Sequence, residues 1–125
     1  MRKAAIHTVV LFAMIVAVAA RLHAADVTGT WSAAFDTQMG MQNYTYEFKI
    51  AGNQLTGKAK SDNGESDLKS GKVDGDKIQF VETLTIMGMT LDVAYKGTVV
   101  SNDEIKFVRD VGGFAMEDLV AKRVK

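Results

Sequence analysis

The chain contains no cysteine and no proline, and its only two histidines, His7 and His23, fall within the first 25 of its 125 residues. With no disulfide possible, stability has to come from an ordinary hydrophobic core. With neither thiol nor imidazole after residue 25, that part of the chain has no Cys or His nucleophile–base system. It likewise has no thiolate or imidazole zinc site and almost no route to a copper(II) site. Catalysis there would rest on carboxylates, lysine, tyrosine or serine alone. Tryptophan is scarce too, with Trp31 as the single example.

A leader comes first. Arg2 and Lys3 form a charged start, and residues 8–20 (TVVLFAMIVAVAA) are an apolar run ending in small residues. This is the pattern of a secretory signal peptide, and the run is too short to span a bilayer comfortably. Cleavage is expected after Ala20, Ala24 or Ala25, with an uncleaved anchor as the alternative. No cysteine follows the run, which argues against a lipoprotein. The expectation is a signal peptide over residues 1–25 and one domain over residues 26–125, periplasmic or secreted, with no stable membrane anchor after cleavage. Setting aside Arg2, Lys3 and Arg21 leaves 12 basic side chains against 15 acidic ones. That negative balance argues against nucleic acid, or an anionic membrane surface, as the main partner.

After the leader, apolar and polar residues alternate with period two, and glycine, asparagine and aspartate punctuate the runs. This is the signature of antiparallel strands. Strands are predicted over residues 28–37, 42–51, 54–60, 65–73, 77–87, 89–100, from about 104 to 110, and 116–124. Gly52-Asn53, Asn63-Gly64, Asp74-Gly75-Asp76 and Ser101-Asn102-Asp103 supply turns. In the fourth strand the phase slips at Gly71, which suggests a bulge. About eight short strands joined by tight turns predict an all-β, antiparallel up-and-down β-barrel, because closure removes the exposed edges. An open two-sheet sandwich is the alternative.

In such a meander the turns alternate between the two ends. The turns of one end carry Met39, Met41, Met87, Met89, Phe114 and Met116, which include every methionine after the leader. Methionine is soft and adaptable and recurs on apolar binding surfaces. Three readings follow: core filler folded inward, a portal or docking rim, or a soft thioether site for Cu(I) or Ag(I). The last lacks its usual His and Cys companions, and no metal or cofactor is expected.

Ala33, Gly57, Ala59, Ser66, Ser70 and Gly97 share the inward phase, which suggests internal space unless Trp31, Phe35, Phe48, Phe80 and Phe107 fill it. Tyr44, Tyr46 and Tyr95 also point inward, as do Glu82 and Arg109. A buried charge needs a partner, so Glu82 and Arg109 are expected to pair with each other. The functional alternative is that Arg109 and a tyrosine hydroxyl grip the carboxylate or phosphate head of an amphipathic ligand. Glu82 is the only acidic residue placed inside, and glycosidase-type chemistry needs two facing carboxyl groups. No catalytic residue is therefore assigned.

Gly29-Thr30-Trp31 resembles the Gly-x-Trp opening of the calycin superfamily, the lipocalins and fatty-acid-binding proteins, and Ala121-Lys122-Arg123-Val124 is similar to their final strand. The chain also resembles short lipocalin-like domains of bacterial exported proteins. The resemblance implies that Arg123 packs across Trp31 through a cation–π contact and closes one end of the barrel. The chain departs from these families in lacking a helical lid after the first strand and a disulfide. The functional expectation is an exported binding protein for a small hydrophobic or amphipathic ligand, held in the barrel and entering through the methionine-bearing end. A protein-binding module or exported inhibitor using the same end is the second reading, and a carboxylate-based hydrolase the third.

Overall fold

Strict alternation lets a strand bury one face and solvate the other. The computed structural model, which describes residues 26–125, follows that rule along most of its strands. The expected signal peptide lies outside the described residues. Those residues form β1 (Gly29–Thr37), β2 (Gly40–Ala51), β3 (Gln54–Ser61), β4 (Gly64–Asp67), β5 (Lys69–Asp74), β6 (Lys77–Ile86), β7 (Met89–Ser101), β8 (Glu104–Val111) and β9 (Ala115–Arg123). All pairings are antiparallel. The order β2-β1-β9-β8-β7-β6-β5-β3 returns to its start through a β2–β3 pairing, so the sheet closes. Because β4 and β5 are two halves of one interrupted strand, the architecture is an eight-stranded closed barrel, and the open sandwich is ruled out.

The up-and-down path puts the β1–β2, β3–β4, β6–β7 and β8–β9 turns at one end, called upper below. The β2–β3, β5–β6 and β7–β8 turns lie at the lower end. The interruption in the fourth strand begins earlier than Gly71. The strand breaks at Leu68, Ser70 takes φ +52°, and the register against β6 shifts between Lys69 and Lys72. This bulge turns Ser70 outward, so its expected inward position is corrected to exposed, while Ser66 remains half-buried.

The lower and middle interior is filled. Trp31, Tyr46, Phe80, Tyr95 and Phe107 are essentially inaccessible. Phe80 stacks on Tyr95 with centroids 4.3 Å apart, and Phe107 meets Tyr95 edge-on at 5.6 Å. Such pairs add about 0.5–1.5 kcal/mol each beyond the area they bury. Of the small inward residues, Gly97 serves this packing, while Gly57 admits the backbone of β2. A Cβ on Gly97 would lie 2.5 Å from the Phe107 ring, and one on Gly57 would run into the Glu47 carbonyl. Gly97 is small because Phe107 lies against its backbone.

Candidate functional site

Above the aromatic core the barrel carries a buried polar network contributed by five strands. Tyr46 on β2 donates its hydroxyl proton to the Tyr95 hydroxyl on β7 at 2.9 Å, and Tyr95 donates to Glu82 Oε1 on β6 at 2.9 Å. The order of donors follows because Tyr95 has one proton and the carboxylate takes it. Arg109 on β8 donates Nη2 to the Tyr44 hydroxyl at 3.1 Å and to Glu82 Oε1 at 3.5 Å. Its Nη1 makes the shortest contact, 2.8 Å to Glu117 Oε1 on β9. The guanidinium also lies 5.1–5.5 Å from the ring centroids of Phe35, Tyr44 and Tyr95.

Glu82 and Arg109 are 1% and 3% exposed, and each is charge-paired and hydrogen-bonded, as burial requires, although Arg109 Nε is buried without a hydrogen-bond partner. The Glu82–Arg109 pair expected from phase is present, but it is the longer half of a triad. Glu117 completes that triad and corrects the expectation of a single inward carboxylate. It shares the phase of Leu119 and Ala121, two buried residues of β9, and that alternation was the available signal for it. Both carboxylates are engaged with the same guanidinium, so the pair does not have the free acid and free base that glycoside hydrolysis needs.

Burial pushes the Glu82 carboxyl above the usual carboxylate range, against the partial opposition of Tyr44, Arg109 and Tyr95. Burial likewise raises the Tyr44, Tyr46 and Tyr95 hydroxyls, so all three are neutral donors and acceptors at physiological pH.

A cavity of about 240 Å³ opens over this network at the upper end. Tyr44, Arg109 and Glu117 line it, together with Leu84, Ile86, Leu91, Val111 and Ala115, while Met39 and Phe114 and the polar Thr37, Gln38, Gln42 and Asn63 complete it around the upper turns. Tyr46, Tyr95 and Glu82 lie outside that lining; they form the layer of the network behind it. Met41, Met87, Met89 and Met116 do not line the cavity either. They stand in or beside the upper turns with 57%, 94%, 60% and 68% of their surface exposed, and Met39 and Phe114 are 58% and 73% exposed. The core-filler reading of these residues is thereby corrected, since none is folded inward. Larger depressions of about 660 and 750 Å³ lie on the outer wall, where outward-facing Lys96, Thr98 and Val108 line both, away from the network.

At the lower end the Arg123 guanidinium lies 4.5 Å from the Trp31 ring centroid. It donates to the carbonyls of Asn102 at 2.7 Å, Thr28 at 2.8 Å and Asp26 at 3.2 Å. Among the described residues no three carboxylate groups converge as a metal ion would require. Compared with protein-family models, with curated proteins and with solved structures, the chain has no match.

Proposed function

We propose that this protein is an exported, lipocalin-like binding protein that holds a small hydrophobic or amphipathic molecule in the upper cavity, with the exposed methionines and Phe114 forming the rim it crosses. The observation that carries this reading is the cavity itself, with an apolar wall and convergent Tyr44, Arg109 and Glu117 at its base. Ligand sites have that composition, mostly apolar with a few polar groups that fix orientation. Its volume lies below the roughly 300–1,000 Å³ usual for drug-sized ligands. The filled interior beneath it gives no further depth, so the occupant is a short tail or a single small ring system.

The rim supports the same reading. Met87 occupies a turn position with φ +52°, where asparagine or glycine costs less, and its side chain touches almost nothing. Packing gives no reason for an apolar side chain there, whereas a portal does. The superfamily kinship rests on the Gly29-Thr30-Trp31 opening and the Arg123 contact, and export rests on the leader.

An uncharged probe tests the proposal. N-phenyl-1-naphthylamine should gain fluorescence on binding the protein, and Ala115→Phe, which fills the cavity from its own wall, should weaken that binding at least about tenfold. Absence of any fluorescence gain, or an unchanged affinity in the filled variant, would refute cavity binding.

A further inference from the structure

Charge is unevenly placed around the cavity. Near the upper turns, Asp36, Asp62, Asp92 and Asp110 have no ion-pair partner among the described residues. The nearby lysines are already engaged: Lys60 with Glu47 at 2.9 Å, and Lys58 with Asp67 at 3.2 Å and Glu65 at 3.5 Å. Of the exposed lysines, Lys49, Lys72, Lys77, Lys96, Lys106 and Lys122 belong to the lower half of the barrel and Lys125 to the chain end beyond β9, while Lys69 stands at mid-height beside the bulge.

Within the cavity lining, Arg109 is the single cation among the described residues, and its positive charge is spent. Glu117 and Glu82 both hold it, and the Tyr44 hydroxyl takes a further N–H. An entering carboxylate or phosphate would have to displace Glu117 from a 2.8 Å contact, against the field of the acidic upper end. An Arg-based cavity would ordinarily favour anions; here the second carboxylate reverses that polarity. A cationic head meets attraction at the opening. Inside, it meets the Phe114 ring, whereas the Tyr44 ring already carries the Arg109 guanidinium.

We infer that the cavity selects cationic amphiphiles, with a short apolar tail held against Leu84, Ile86 and Leu91 and an ammonium-type head at the aspartate-bearing rim. The inference rests on the cavity-binding function proposed above and names its ligand class.

Three probes with one tail and different heads separate the two claims: octyltrimethylammonium, octyl glucoside and octanoate, each titrated calorimetrically below its micelle concentration. The cation should bind about tenfold tighter than the anion at low salt, with the neutral probe between them. That ratio should shrink towards one as ionic strength rises from about 0.01 M to about 1 M, where the screening length falls from about 30 Å to about 3 Å. Replacing Asp36, Asp62 and Asp92 together by Asn should remove most of the preference. Equal affinities, or tightest binding of octanoate, would overturn the charge selection while leaving the cavity function standing. If all three fail to bind, the cavity function falls, and the ligand class with it.

Discussion

Glu82 is a carboxylate almost without solvent, yet it accepts from Tyr95 and Arg109 and does not stand alone. Its raised pKa has a consequence for stability. A carboxyl group whose folded pKa exceeds its unfolded one binds protons more tightly in the native state. Its contribution to stability is therefore greatest below the unfolded value and is lost as pH rises through the interval up to the folded value, after which it stays constant. Each tenfold displacement of that proton equilibrium is worth about 1.4 kcal/mol. Glu82→Gln keeps the shape and removes the titration, while Arg109 retains Glu117. The variant should gain on the wild type as pH is raised from about 4 into the neutral range, whatever its stability at the acid end. Urea denaturation of both proteins across that range measures the difference, and two parallel pH profiles would show that burial does not perturb Glu82. Glu104 acts in the opposite sense, since Lys122 lowers its pKa, but it is common to both proteins and cancels.

Among the elements, β4 is the one with the least support. Its four residues pair with β3 alone, from Lys58↔Asp67 to Ser61↔Gly64. On the other side of the gap, residues 82–86 of β6 pair only with β7, because the β5–β6 ladder ends at Lys69↔Val81. The barrel wall therefore closes through β5 in its lower half and parts between β4 and β6 above, where a recess of about 130 Å³ is lined by Ser66, Glu82 and Thr83. Unpaired edges open at lower free energy than laddered strands. Backbone amides of β4 should exchange with deuterium at least about tenfold faster than those of β8, which is laddered on both sides. Equal protection of the two would mean that the seam is sealed.

The same strand marks the limit of what the sequence disclosed. Period-two alternation located the strands to within a few residues, because outside this strand and the end of β7, where the register shifts between Val99 and Ser101, each strand keeps its phase against one core. It failed at Ser70, where a bulge changes the phase and nothing in the residue types around it fixes the exact step. Glu82, Arg109 and the inward tyrosines were legible from phase. Glu117 was not recognised, though it alternates with Leu119 and Ala121, because a charge near a strand end is ordinarily solvated. The role of Gly97 was hidden as well, since a gap in the pattern and a place for a ring look identical until the facing strand is known.

Taken as a whole, the barrel has two unlike ends, and the lower one is closed by the two termini of the fold acting together. Arg123, near the last residue, lies over Trp31 and holds the carbonyls of Asp26, Thr28 and Asn102, so one side chain ties the entry segment, the β7–β8 turn and β9 into a single stopper. The spacing of Gly29 and Trp31 has its reason here: a Cβ on Gly29 would come within 2.9 Å of Arg123 Nη1. Charge-assisted hydrogen bonds of this kind contribute about 1.5–3 kcal/mol each when well buried and less where water competes. Lysine cannot reproduce the planar, forked geometry. Arg123→Lys should therefore cost about 2 kcal/mol of stability and move Trp31 emission to longer wavelength as water reaches the indole. Gly29→Ala should do the same more weakly by pushing the guanidinium aside, and the double variant should lose less than the sum, since both disturb one contact. Additive losses with unchanged Trp31 emission would mean that Arg123 stabilises the chain end without closing the barrel.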